Sequence, residues 1–358
     1  MKRNWLMQVA LMAVMLALLV PSAAAGKGGN GKGGGGNGDG GGGDPACTRF
    51  VYSLYEIRDG LAGPDGLSRT CIEGGGDELL TGTTLGSRNR LEVSPDGLAV
   101  AVHQNGGEGR ILSTSDGGEI ASFHTIGTDF PDDFSPTFSW RVDASGDPLP
   151  TAEQFVAVRR GQQQIWAYHP APGSTGTQLL DIEDHSGDSL WLTDLHWIAG
   201  RPADPSISWL VFRIWRNNVP AWHALTVETG ADTQGNATVA SAGSPGALTS
   251  STEINARPLH FSKMGTHAAW IFGNDSGLKR VALAYDASDA YAPPTFDGST
   301  IEDLTWVVNA VGGFLQFGHV ALSRDGGRLA LTPDCEVWTI DLALGTSSLE
   351  RISARSKR

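Results

Sequence analysis

A turn pattern that recurs along this chain constrains its fold more than any other feature. Val93-Ser94-Pro95-Asp96-Gly97-Leu98-Ala99-Val100-Ala101-Val102 reads as strand, tight turn and strand. Leu322-Ser323-Arg324-Asp325-Gly326-Gly327-Arg328-Leu329-Ala330-Leu331 repeats it, and residues 261–271 are a worn copy around Ser262 and Gly265. Glycine supplies the positive φ the reversal needs, and the Asp side chain can cap it. A hairpin that returns at long intervals indicates a repeat architecture. The spacing of Ser94, Ser139, Ser262 and Ser323 is uneven, and the widest gap holds two units.

The remaining sequence supports an all-β reading. After the N-terminal region, short runs rich in Val, Ile, Phe, Trp and Thr alternate with Gly, Asp, Ser and Pro. Six units are expected, over residues 47–80, 88–123, 135–169, 195–227, 258–285 and 319–352. The first lacks an innermost strand. Insertions are expected at 200–205 and 293–313. The fold class predicted is a single β-propeller of about six four-stranded blades, its ring closed by the two chain ends to hide the edge strands.

The repeats resemble those of the TolB-type, WD-repeat-like β-propellers of bacterial envelopes. Ser94-Pro95-Asp96-Gly97 matches that pattern in full, and Ser323-Arg324-Asp325-Gly326 in three of four positions. Val337-Trp338-Thr339-Ile340-Asp341 matches the third strand. Gln164-Ile165-Trp166-Ala167-Tyr168 and Val281-Ala282-Leu283-Ala284-Tyr285-Asp286 match it more loosely. The likeness runs from about Cys47 to Ile352. It implies a propeller and a binding or scaffold role rather than any particular chemistry.

The ends imply export. Lys2 and Arg3 precede an apolar run at 6–20, then Pro21 and Ala23-Ala24-Ala25. That run is shorter than the ~20 residues a spanning helix needs, so a signal peptide (1–25) cleaved after Ala25 is expected, with a periplasmic or secreted product. Residues 26–46 are glycine-rich and should form a disordered linker. The propeller is expected over 47–353, and a short basic tail over 354–358.

Charge narrows the partners. With 39 Asp+Glu against 26 Lys+Arg the net charge is −13, which argues against nucleic acid and against stable membrane insertion. Protein is the expected partner, and polysaccharide the alternative. Of the three cysteines, Cys47 and Cys71 are the likelier disulfide in an oxidising compartment, because both flank the first strands; an odd count leaves the pairing open. No cofactor and no metal site are expected.

Catalytic motifs are scarce. Gly187-Asp188-Ser189-Leu190 spells a lipase-type nucleophile signature, but it lies mid-chain in a polar loop with no Asp-x-x-His to follow, so a loop is the better reading. Asp96 and Asp325 occupy positions the turn itself requires, and capping explains them. Most of the eleven tryptophans fall on predicted strands and should pack between blades, with Trp191, Trp222 or Trp306 as candidates for a binding rim. Residues just before each turn serine should line the channel mouth. The candidate site is therefore Arg90, Asp194, Arg257 and His319, with His196 and His260 close by. The alternative function is a carbohydrate-binding lectin or a glycan-active enzyme with its site at the channel.

Overall fold

The computed structural model describes residues 50–55, 66–71, 77–81, 91–104, 108–124, 136–143, 145, 147–182, 188–199, 204, 206–231, 233, 237–249, 251–273, 276–289, 291–312, 320–331 and 337–353. The first described sheet is a three-stranded antiparallel meander, in order β1 (Phe50–Tyr55), β2 (Gly66–Cys71) and β3 (Asp77–Thr81). Cys71 ends β2 opposite Phe50 in register. Its expected partner Cys47 lies outside the described residues, as does Cys335.

Five antiparallel sheets follow, each a sequential meander. Blade 1 is β4 (Leu91–Val93), β5 (Ala99–Gln104), β6 (Glu108–Ser113) and β7 (Glu119–His124). Blade 2 is β8 (Thr137–Phe138), β9 (Val156–Arg160), β10 (Gln164–Tyr168) and β11 (Thr177–Asp181). Blade 3 is β12 (Leu190–Ile198), β13 (Ile207–Arg216), β14 (Val219–Ala231) and β15 (Ala237–Ala242), with β16 (Gly246–Ala247) also on β14. A short helix α1 (Thr252–Asn255) leads to blade 4, which is β17 (His260–Phe261), β18 (His267–Phe272), β19 (Gly277–Ala284) and β20 (Thr295–Phe296). β21 (Glu302–Asp303) shares the outer edge of β19, and helix α2 (Thr305–Ala310) follows. Blade 5 is β22 (Val320–Leu322), β23 (Arg328–Leu331), β24 (Val337–Asp341) and β25 (Glu350–Ser353).

Among the described residues the blade count is thus five, where the sequence suggested six. The first unit, without an S-x-D-G turn and so without an innermost strand, makes a three-stranded sheet and not a blade.

Second strands explain why simple alternation is weak here. Ala99 to Val102 are all 0 % exposed, as are Trp209 to Phe212, and in the latter strand both faces lie against neighbouring blades. Side chains still alternate between the two faces. Trp209 and Val211 join Phe261, Ala268 and Trp270 of blade 4, whereas Leu210 and Phe212 join Phe155, Ala157 and Ile165 of blade 2. Ala269 faces the other way from Ala268, into a core with Val320, Leu322 and Leu329 of blade 5. Ala99, Ala101 and Ile111 of blade 1 meet Phe138, Val156 and Val158 of blade 2. Four inter-blade interfaces therefore carry the hydrophobic stabilisation, about 1.5–3 kcal/mol for each large side chain buried. No helix among the described residues is long and apolar enough to cross a membrane.

Candidate functional site

The innermost strands β4, β8, β17 and β22 are only two or three residues long, and each runs into a turn that begins at Ser94, Ser139, Ser262 or Ser323. In blades 1 and 5 the turn is built as the sequence indicates. Asp96 Oδ1 accepts from Ser94 Oγ (2.6 Å) and the Leu98 amide (3.1 Å), and Gly97 has φ 74°. Asp325 Oδ1 accepts from Ser323 Oγ (2.6 Å) and the Gly327 amide (3.0 Å). The Ser323 bond is the main reason the Asp325 carboxyl is held below its ordinary value. Asp96 also reaches blade 2, accepting from the Thr151 hydroxyl (2.6 Å) and amide (2.5 Å).

At this turn end the blades are joined by polar contacts. Glu92, two residues before Ser94, uses Oε1 to accept from the Phe138 amide (2.7 Å) and Thr137 Oγ1 (3.1 Å) of blade 2. The same oxygen accepts from Lys263 Nζ, at the start of the blade 4 turn. Thr137 Oγ1 in turn accepts from the Trp197 amide of blade 3 (2.8 Å). The Ala199 amide donates to the Lys263 carbonyl (2.7 Å), and the Met264 amide to the Arg324 carbonyl of blade 5 (2.9 Å). Arg324 holds its guanidinium carbon 5.2 Å from the centre of the Trp140 ring in blade 2. Trp140, Lys263 and Arg324 each follow their turn serine, so one repeat position supplies three members of the hub. Such charge-assisted bonds are strong in a half-buried setting. The side chains of Glu92 and Lys263 are 14 % and 22 % exposed. This arrangement ties the five blades together and leaves its polar groups engaged with one another.

The channel-mouth candidates are distributed differently. Asp194 is buried in a bulge of β12, with φ 54°, and forms a 2.5 Å ion pair with Arg213 of β13. Thr193 Oγ1 donates to Asp194 (2.8 Å) and accepts from Arg213 Nε (3.2 Å) and Trp215 Nε1 (3.0 Å). His196 packs its ring near Phe261 (5.2 Å) and Trp222 (6.3 Å). His260 is half-buried on β17 opposite Ala269. Arg257 is exposed, and its carbonyl accepts from Trp222 Nε1 (3.0 Å). Arg90 and His319 lie outside the described residues. The aromatic contact of His196 with Phe261 brings β12 and β17 together, whereas Asp194 is turned to its own blade. Glu92 and Lys263 were not among the candidates. Their signal is positional, since each is offset by a fixed step from a turn serine.

The lipase-like tetrapeptide is structural. Asp188 takes Arg216 Nη1 (3.0 Å) and Asn217 Nδ2 (2.8 Å), and the Ser189 amide donates to Asn217 Oδ1 (3.1 Å). Among the rim candidates Trp222 is wholly buried and therefore part of the core, Trp191 is half-buried, and Trp306 is 37 % exposed.

A different surface stands out on blade 4. Residues 285–312 carry Tyr291, Ile301 and Trp306, three of the six large apolar side chains that are exposed among the described residues. They also contain Asp286, Asp289, Asp297, Glu302 and Asp303, and no Lys or Arg. The segment is well anchored. Leu304, Val307 and Val308 of its α2 region enter the core between blades 4 and 5. Asp297 caps the turn at Ser299 (3.0 Å), and Asp303 Oδ1 accepts from the Thr305 amide (2.8 Å) just before α2. Those Thr305 bonds hold the Asp303 carboxyl below its ordinary value.

No protein-family model matches the chain, and no curated protein sequence matches it. Solved structures similar to it include β-propellers. One is the β-propeller domain of Cps50 (Swd1) from Myceliophteria thermophila, at 13 % identity over 84 % of this chain and 82 % of that one, with a TM-score of 0.47. A putative 6-phosphogluconolactonase from Bacteroides uniformis has 15 % identity over 85 % and 81 %, with a TM-score of 0.44. A chain of a nidogen/laminin complex has 12 % identity over 85 % and 91 %, also at 0.44. Such distant likeness speaks to fold alone. The chain's own succession of meanders carries the conclusion, a β-propeller with five blades among the described residues.

Proposed function

We propose that the chain is an exported β-propeller of the TolB-like kind that binds a protein partner in the bacterial envelope or outside the cell. The carrying observation is the blade 4 segment 285–312, with Tyr291, Ile301 and Trp306 exposed in a stretch that has five acids and no base. Exposed aromatic and aliphatic side chains fixed on an anchored scaffold are what a binding hot spot requires. Anchoring matters because a segment already ordered loses little entropy on association. Glu302 is paired with Arg280 of β19 (2.5 Å), and the other acids of the segment favour a partner with a basic, apolar-accepting surface. The turn-end hub supports the reading indirectly. Its polar groups hold the blades in register, so the rim and loops are free to carry recognition.

The channel-mouth set Arg90, Arg257, His260 and His319 is proposed as a second contact, with Asp194 and His196 holding the strands behind it. Closure of the ring by the two chain ends belongs to the same proposal.

The test is capture of partners from an envelope and secreted fraction on the purified chain, beside a Tyr291→Ser/Ile301→Ser/Trp306→Ser variant. A stoichiometric protein bound by the wild type and lost from the variant is the expected result. A partner held equally by both would move the interface elsewhere on the propeller. Recovery of no protein would overturn the reading.

A further inference from the structure

Blade 3 departs from its neighbours at one end. Its strands β13 and β14 run to ten and thirteen residues, where β5, β9, β18 and β23 have four to six. Beyond the bulge at Asp194, residues 190–193 of β12 pair with 213–216 of β13. Asn217 and Asn218, at φ 49° and 65°, then turn the hairpin into β14. Trp191 lies opposite Trp215, with the two indoles parallel within 7° and their centres 5.5 Å apart.

This pair is held rigidly. Thr193 Oγ1 accepts the Trp215 indole N–H, and the buried Arg213 sits 4.9 Å from the Trp215 ring centre. Trp191 is held from the blade 2 side too. The Leu192 amide donates to the Gln162 carbonyl (2.8 Å), and Gln163 Nε2 donates to the Leu190 carbonyl (3.4 Å). Polar residues adjoin the pair in its own hairpin and in the neighbouring turn of blade 2. Gln162 is exposed, Asn217 is exposed, and Arg216 and Asp188 are 59 % and 29 % exposed.

We propose that this corner between blades 2 and 3 is a carbohydrate-binding site with Trp191 as its platform. A pyranose presents an apolar C–H face that stacks on an indole, and a rim of hydroxyls that must both donate and accept hydrogen bonds. Planar amide, carboxylate and guanidinium groups beside an indole meet both demands. Pre-set aromatics also lose little entropy when the ligand binds. Arg216 argues against the competing ligand, a cationic peptide side chain stacked on Trp191. It already holds the Asp188 carboxylate (3.0 Å), so that carboxylate is not free for a second cation, whereas a sugar hydroxyl can still exchange hydrogen bonds with this partly exposed pair. The site is separate from the blade 4 surface, and it does not depend on the protein-binding reading.

The experiment uses the purified chain on an array of oligosaccharides containing neutral hexoses, N-acetylated amino sugars and uronic acids, with an arginine-rich peptide as the comparison ligand. Affinity for the best oligosaccharide is then measured by titration calorimetry for the wild type and for Trp191→Ala, Gln162→Ala and Trp306→Ala. Thermal unfolding of each variant confirms its fold, and Gln162→Ala, at an exposed position, keeps the test decisive should Trp191→Ala fold poorly. Trp191→Ala should weaken sugar binding by about tenfold or more, equivalent to ~1.4 kcal/mol. Gln162→Ala should weaken it by a smaller factor, and Trp306→Ala should leave it unchanged. The proposal is overturned by an array without a bound glycan, by binding that survives both the Trp191 and Gln162 changes, or by an arginine-rich peptide taking the site in place of sugar.

Discussion

Two carboxylates on innermost strands, Glu92 and Asp194, meet cations in opposite ways. Asp194 and Arg213 sit on adjacent strands of one blade, with side chains only 6 % and 9 % exposed. Glu92 and Lys263 come from blades 1 and 4, and the carboxylate oxygen that takes Lys263 also takes two donors from blade 2. The first pair is local and dry, and stabilises a strained bulge. The second is long-range and half-wet, and ties separate blades into one body. Burial sets how much each pair is worth when broken, and sequence distance sets what comes apart.

The largest effect is expected at Asp194. Asp194→Asn keeps the shape and tolerates the positive φ, since Asn is among the residues that visit that region. It leaves Arg213 buried beside a neutral amide, and removing one partner of a buried pair costs about 3–5 kcal/mol. Denaturant unfolding should show that loss as a lower midpoint. A loss below about 1 kcal/mol would mean that Thr193 and the Trp215 and Trp222 rings suffice to hold the guanidinium.

Glu92→Ala should cost less in total, on the order of 1–3 kcal/mol, because it leaves the Phe138 amide without its acceptor while Lys263 can still reach water. Its signature should differ in kind. Removing a contact between blades 1, 2 and 4 should broaden the unfolding transition or split it, whereas Asp194→Asn should shift a single transition. If Glu92→Ala merely shifts a sharp transition, the hub is not what couples the blades.

The same contrast explains what the sequence disclosed. Turns were legible because Ser94-Pro95-Asp96-Gly97 and Ser323-Arg324-Asp325-Gly326 encode their own hydrogen bonds within a few residues. Strands such as Ala99 to Val102 and Trp209 to Phe212 were legible as apolar runs. Outer strands such as Thr177–Asp181 were not. They are half exposed, and they carry little apolar signal. Helix α2 was hidden because only Leu304, Val307 and Val308 face inward, over less than two turns. Glu92 and Lys263 read as ordinary surface charges. Their meeting depends on how the blades are arranged in space, which no local pattern records. Asp194 was read as a channel-mouth residue, and no local pattern named its ion-pair partner Arg213 on the next strand.

The smallest effect concerns the interface between blades 4 and 5, and it tests whether long-range contacts there behave like the hub. His267 lies against Gly326 of the blade 5 turn, where any side chain would clash with the imidazole: a Cβ at Gly326 would come within 2.6 Å of Nδ1. Burial, and then the charge of Arg280, hold the His267 imidazole below its ordinary value of 6.5, against weaker opposing influences from Asp325 and Glu302. With the folded value depressed, the unfolded chain binds the proton more readily, so the neutral form favours folding. That contribution is complete above pH 6.5 and is lost as the pH falls from there through the folded value. His223, half-buried beside Phe212, shifts the same way through desolvation and acts in the same window. Thermal midpoints recorded from pH 7.5 to 5 should therefore decline on the acid side of 6.5, and His267→Gln should flatten part of that decline. Because Arg280 also donates to the Gly326 carbonyl (2.8 Å), a protonated His267 would sit beside a cation that joins the two blades. Acid should then loosen this interface before it reaches the Glu92 hub, where the cation Lys263 already has its carboxylate. An unchanged pH profile in His267→Gln would assign the decline to His223 and leave the blade 4–5 contact insensitive to acid.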